Sequence, residues 1–448
     1  MRDACHLRIF IILTLLPFLS SYVASGEKTL LIPVCDVTSK EFGAVGDNVT
    51  EDTAAIQNAL NQCSKVILPK HYTFYIRPIQ LLSNRHLQLN GNLAAWRNVT
   101  TWPNSTNKKC SETGYTSKTK LVQQKESLIW GIQPLNGVII SGNGTVFGDG
   151  WRWWPLRNDT KHGEYWHNCR PKLLFLGQNH ITKYGSISGV IVNGVTFKDS
   201  PFWTVTGRGL SNATFYNVKI TTTGCGYSQA PNTDGFNLQG ENILVHESSV
   251  KNGDDCVPIF PPSRNVLVQN INCSCGNPPV AVVWPASNHR GRNNKSFYAG
   301  DIVNVTFDHI NLFGTSSGLA IKSLSPFVGT AKNIQFTNIV MKGVQIGMAI
   351  NFFHQGLVSQ MKDEMISNSD TLLNASASSI LIENVTGTVI DNAGHINCLG
   401  STPCNFFHFK NVKLKSINNK TEAKGYSCMN VSGTYDDNCS PLPCLARP

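Results

Sequence analysis

A chain of 448 residues with 41% hydrophobic and only 15% charged residues can bury a large core, which excludes a disordered protein. Its formal charge of +10 suits a polyanionic partner, yet the basic residues are scattered and no nucleic-acid motif accompanies them. An acidic polysaccharide is therefore the expected partner, and nucleic acid is not.

Met1 to Ser25 reads as a secretory signal. Arg2 and Arg8 supply the positive start, Ile9 to Leu19 an apolar run too short to span a bilayer, and Val23-Ala24-Ser25 small residues for cleavage. No later apolar run reaches about 18 residues, so no membrane span is expected. Secretion fits fourteen Asn-x-Ser/Thr sequons and a cysteine count that permits disulfides, with thirteen cysteines left once Cys5 is removed. Cys273-x-Cys275 has no partner histidine pair at ligand spacing, so no metal and no cofactor is expected. The mature chain, 26–448, reads as one monomeric domain, because repeat folds grow as a single body.

That domain opens with a turn-rich run, Phe42 to Asp47. Next, Ala55, Ile56, Ala59 and Leu60 fall on one helical face with Asp52 as the cap, predicting a short helix that closes one end. Strand structure starts at Val66-Ile67-Leu68.

From Gly137 onward a unit recurs: a short alternating strand, an Asn or Gly turn, and another short strand. Copies start near Gly137, Ser188, Ser211, Glu241, Arg264, Ile302, Lys332 and Ser378, with the tightest spacings about 23 residues. A period of this size predicts a right-handed, single-stranded parallel β-helix, all-β apart from the capping helix. Asparagine suits its corners because it tolerates left-handed backbone and can ladder along a stack.

Within this coil Asp234 lies 20 and 21 positions before Asp254 and Asp255. One turn of coil thus brings three carboxylates to neighbouring strands, about 4.8 Å apart. Crowded like charges call for a reason, and paired-carboxylate catalysis is one. Adjacent strand residues face opposite ways, so Asp254 and Asp255 share a cleft only if a turn or bulge sits at Gly253.

With coil and carboxylates in hand, the chain resembles the pectin-degrading glycoside hydrolases of family 28, the polygalacturonase-like enzymes. The resemblance runs from Asp36 to at least Lys322. It rests on Phe42–Asp47 with Asp52-Thr53, on Gly148-Asp149-Gly150-Trp151, on Arg170-Pro171 and on Ser200-Pro201-Phe202-Trp203. Its most specific motifs are Pro231-Asn232-Thr233-Asp234-Gly235 and Gly253-Asp254-Asp255-Cys256. It implies a secreted glycosidase acting on pectic polysaccharide by inversion, with Asp254 as general acid, Asp234 and Asp255 activating water, and Asn232 and Lys322 binding substrate. It also implies a disulfide from Cys256 to Cys275.

Two departures stand out. Pro279 falls near the position of the family's histidine, and Ala320-Ile321-Lys322 keeps the lysine of an Arg-Ile-Lys motif but not the arginine. Losing a charge-assisted contact costs about 1.5–3 kcal/mol, enough to change substrate preference without removing the acid and base. Rhamnogalacturonan hydrolysis and non-catalytic polysaccharide binding are the alternatives. His289, Arg290 and Arg292 in the loop after Trp284 read as a solvated basic loop, with replacement of the lost cations as the second reading.

Overall fold

The computed structural model describes residues 33–109, 120–121, 123–132, 134–158, 164–165, 169–177, 186–283, 301–323, 328–352, 374–417 and 421–446. The signal segment, Trp284 and the basic stretch His289 to Lys295 lie outside the described residues.

The short alternating strands do what their pattern demands. The Ser263–Ser274 strand buries Val266, Val268, Ile271 and Cys273 and turns the residues between them outward. Such a strand needs a partner on each side, and the coil provides it in parallel register. Ser188 pairs with Ser211, Ser211 with Glu241, Glu241 with Arg264, Arg264 with Val303, Val303 with Lys332, and Lys332 with Ser378. The result is a right-handed parallel β-helix in which 27 described strands belong to one hydrogen-bonded sheet, so a single solenoid carries the whole site.

The period is looser than the sequence pattern suggests. The step between aligned residues is 23 at Ser188–Ser211 but 46 at Lys332–Ser378. The strands pair in parallel across the longer step too, and lengthening a connection adds little loop-closure entropy. Inside, Phe215, Val245, Val268, Phe307, Phe336, Ile382 and Phe409 form one column, each fully buried. Each such side chain stabilises the stack by about 1.5–3 kcal/mol. On the outside, Asn212, Asn242, Asn265, Asn304 and Asn333 all hold left-handed backbone and hydrogen-bond in a row, each amide nitrogen donating to the preceding side-chain oxygen at 3.0–3.3 Å.

The capping helix spans Thr53–Gln62 and buries Ile56, Ala59 and Leu60, with Ala55 packed beside them. It is the one α-helix among the described residues. A Cys35–Cys63 disulfide ties it down. Asp52 stands at the cap position but makes no side-chain cap bond. Its carboxylate instead accepts the backbone N–H of Val45 at 2.7 Å and of Gly46 at 3.0 Å, fastening the turn-rich run. Asp52 is 2% exposed, so Asp52→Ala strands the buried N–H of Gly46 and the part-buried N–H of Val45 and is expected to cost about 1–3 kcal/mol. A denaturant midpoint equal to wild type would refute that role.

At the other end Cys398 bonds Cys404 and Cys428 bonds Cys444, while Cys439 is a buried free thiol, the odd cysteine of the count.

Candidate active site

Three consecutive coils build the carboxylate cluster, and Lys322 reaches it from the fourth. The first reaches Asn232 at the turn before the Phe236–Lys251 strand, in left-handed backbone with φ 57°. Thr233 then staples this turn to the next coil: its hydroxyl donates to the Ala230 carbonyl and accepts the Gly253 N–H. The Asn252 amide completes the staple by donating to the carbonyls of Thr233 and Asp255, both at 2.9 Å. Gly235 N–H donates to the Asp255 carbonyl at 2.9 Å, so Asp234 and Asp255 stand on adjacent coils. Asn277 N–H donates to the Asp254 carbonyl at 2.8 Å and opens the third coil.

The chain bends at Gly253 and Asp254 rather than running on as strand. Only glycine fits at 253, because an added Cβ would lie 2.0 Å from the Ala230 carbonyl oxygen. That bend frees two successive acids from the alternation of a strand. One side chain then gathers both: the Asn277 amide nitrogen donates to Asp254 Oδ1 and to Asp255 Oδ1, each at 3.0 Å. Asn277 is itself held by the Ser316 hydroxyl.

The three carboxyls differ in their partners. Asp255 is buried and pairs with Lys322, whose Nζ is 2.5 Å from Oδ2. Lys322 belongs to the Ser317–Ser323 strand, two coils on. Burial works against the ammonium, but Asp255 and then Asp254 outweigh it and raise its pKa. Asp234 is buried and accepts one side-chain hydrogen bond, from Asn237 at 2.9 Å. Burial first, then repulsion from Asp254 and Asp255, lifts its carboxyl well above the usual range against the pull of Lys322. Asp254 is half-buried, accepts the Asp255 N–H at 2.9 Å and lies 3.4 Å from the Asn232 amide. Burial and the neighbouring Asp255 push it up to about 6. The cluster thus keeps a proton in mildly acid solution beside an ion-paired carboxylate. Such a site can donate a proton to one atom while another acid orients water.

Behind this front stands Arg170, fully buried. It donates to the Pro201 and Pro231 carbonyls and, at 2.8 Å, to Asn232 Oδ1, so it fixes the turn that carries Asn232. Burial and the charge of Arg157 draw its guanidinium down to about 9, still a cation at neutral pH. Arg157 in turn hydrogen-bonds the Tyr227 hydroxyl and stacks on its ring, 4.4 Å from the centroid. No group of three or more His, Cys, Asp and Glu among the described residues is arranged to hold a metal ion.

The disulfide expectation is corrected. Cys256 bonds Cys273, and Cys275 bonds Cys225. Cys273 faces inward in its strand, where Cys256 is also buried. Cys275 takes left-handed backbone, φ 73°, and so leaves the strand's alternation and faces outward. Both bridges brace the carboxylate turn.

Asp234, Asp254, Asp255, Asn232 and Lys322 are thus brought together. Pro279 and Ala320 are buried, and Ala320 packs with Phe260, Val280 and Val282 in an apolar cluster apart from the core. Asn277 and Asn237 are contributors that sequence reasoning passed over, and Arg170 entered it only as part of a family-like motif, with no role assigned. Asn277 follows Asp255 by 22 positions, close to the 21 that separate Asp234 from Asp255, and that spacing is the signal that marks it.

Residues 80–440 match the family described as Glycosyl hydrolases family 28. The chain is 25% identical over 409 residues to a polygalacturonase of Persea americana, covering 89% of this chain and 78% of that protein. It is 28% identical over 323 residues to Polygalacturonase QRT2 of Arabidopsis thaliana, covering 71% of this chain and 66% of that protein, just short of two thirds of the relative's length. Among solved structures, a hyperthermoactive exopolygalacturonase from Thermotoga maritima superposes with TM-score 0.68 at 18% identity, over 88% of this chain and 89% of the other. An endo-xylogalacturonan hydrolase from Aspergillus tubingensis gives TM-score 0.68 at 19% identity, over 93% and 100%. At such identities the two structures speak to the fold.

Proposed function

The chain belongs to the glycosyl hydrolases of family 28, and from that premise we propose that it cleaves galacturonate-containing pectin by inverting acid–base hydrolysis. The observation that carries this reading is the cluster itself. Nothing in a β-helix requires three carboxyls on adjoining coils, and leaving Asp234 and Asp254 there with raised pKa values costs stability. Asp254 serves as the acid that protonates the departing glycosidic oxygen. Asp234 and Asp255 hold and activate the water, with Lys322 paired to Asp255. Asn232, fixed by Arg170, and Lys322 line the approach of the sugar. Names of relatives such as the Persea americana polygalacturonase favour the plain galacturonate backbone of pectin over rhamnogalacturonan. The disulfides fit work outside the cell.

Since Asp254 must be protonated to act, activity is expected to decline as pH rises through about 6. The test is to incubate the purified chain with polygalacturonate and with rhamnogalacturonan between pH 4 and 8 and count new reducing ends. Release from polygalacturonate with the α-anomer of the substrate bond giving β-product supports the proposal. Binding without release from either polymer, or a retained anomer, overturns it.

A further inference from the structure

The site lacks the family's arginine at Ala320, yet an arginine stands on the opposite flank of the acids. Arg208 lies in the Val205–Tyr216 strand, one coil before the Phe236–Lys251 strand, and its neighbour Thr206 pairs with Asn237. The register slips between Gly207 and Leu210, so Arg208 sits where the regular ladder is interrupted. Its guanidinium donates to Asn237 Oδ1 at 3.1 Å, and the Asn237 amide nitrogen donates to Asp234 Oδ2 at 2.9 Å. One amide therefore separates this cation from the carboxylate cluster. The guanidinium also packs over Phe260, 4.4 Å from the ring centroid, and near Trp203 at 5.5 Å. The Lys172 ammonium approaches the same indole at 5.3 Å.

This is an unusual way to spend an arginine. A guanidinium carries five N–H donors, and among the described residues one hydrogen bond, to Asn237, is made and no carboxylate lies within ion-pair distance. Asp234 is felt only at longer range. Aromatic faces hold the planar group without occupying its hydrogen-bonding edge. A cation so prepared, half-buried and fixed on rings, is organised for a planar anion arriving from outside. Trp203, itself half-buried, stands beside it with its ring stacked on Phe202, 4.8 Å between centroids, so the indole that backs the guanidinium is held in place.

We propose that Arg208, backed by Trp203 and Lys172, forms a carboxylate-recognising subsite on the Val205–Tyr216 side of the acids, which binds an ionised galacturonate and discriminates against its methyl ester. This deepens the hydrolase reading and rests on it for the identity of the sugar. The chain then reads substrate charge on this flank as well, while position 320 is apolar where the arginine of the Arg-Ile-Lys motif would stand.

The test measures binding rather than turnover. Tetragalacturonate and its fully methyl-esterified form are titrated calorimetrically into Asp254→Asn, which leaves the sugar uncut, and into the same variant carrying Arg208→Gln or Arg208→Lys. Arg208→Gln is expected to weaken tetragalacturonate about 10- to 100-fold, to change the ester less than about threefold, and to flatten the salt dependence of binding. Arg208→Lys, which keeps the charge, is expected to recover part of the loss. Equal affinity for tetragalacturonate with and without Arg208, equal losses for acid and ester, or no binding of either by Asp254→Asn would each overturn the subsite. If Arg208→Gln does not fold, a lysine variant that discriminates acid from ester as strongly as arginine does still supports it, and one that does not discriminate refutes it. A wild-type chain that releases no reducing ends sinks the hydrolase reading and leaves this titration to be read by itself.

Discussion

Asp254→Asn is expected to lower kcat about 100- to 10,000-fold while making the folded chain more heat-resistant at pH 7. The two effects share one cause. Burial and Asp255 hold the Asp254 carboxyl up to about 6 in the fold, against about 3.9 in an unfolded chain. A carboxyl raised on folding contributes its full share of stability below the unfolded pKa and loses it as pH rises through the folded one. The window is therefore about pH 4 to 6, and above it wild type carries an ionised group that the site disfavours. With allowance for solvent at a half-buried group, the cost at pH 7 is about 1–3 kcal/mol. Asparagine is neutral throughout and keeps the shape, so it relieves that cost at pH 7 and gains nothing at pH 4. Calorimetric melting at both pH values, beside reducing-end assays, checks the pair of effects. A variant less stable than wild type at pH 7 would break the repulsion argument, and a variant of normal activity would remove Asp254 from its role as acid.

Lys322→Met is expected to do the opposite to stability. It leaves Asp255, buried and previously paired at 2.5 Å, without its cation. Stranding a buried charge costs about 3–5 kcal/mol. Lys322 also holds down the carboxyls of Asp234 and Asp254, so its loss raises both and moves the pH–rate profile toward higher pH. A lysine that only gripped substrate would raise KM and leave the profile where it was, so the profile distinguishes the two roles. Adding Asp255→Asn to Lys322→Met should restore most of the lost stability but not the activity, because the second change removes the stranded charge together with the group proposed to activate water. An unshifted profile with unaltered stability would show that the ion pair does not govern the cluster.

Much of this arrangement was legible in the residues. Alternating apolar positions and corner asparagines point to the coil, and the interval from Asp234 to Asp255 is one turn of it, as the Gly235–Asp255 backbone bond shows. Gly253 was recognisable as the bend because two successive acids cannot otherwise face one way. What stayed hidden were contacts whose partners are far apart in sequence. Lys322 reaches Asp255 across 67 positions, and Arg170 reaches Asn232 across 62. Cys273 and Cys275 could not be told apart by spacing, because a single left-handed residue decides which of them turns outward. Asp52 has the composition of a helix cap, and the backbone of Val45 and Gly46 claims it first.

The unequal coils, 23 residues at one step and 46 at another, bear on how such an enzyme changes over time. The spacing of the acids follows from backbone hydrogen bonds between adjoining coils, Gly235 to Asp255 and Asn277 to Asp254. Where the step reaches 46, Lys332 still pairs with Ser378 and Asn351 with Asn397, so added length between strands is compatible with the ladder on either side of it. Reaction and substrate range are therefore separable traits in this architecture. Grafting a corner segment from a relative onto this chain should transfer polymer preference with the acid–base chemistry carried over intact, whereas a graft that cuts into a strand should forfeit both.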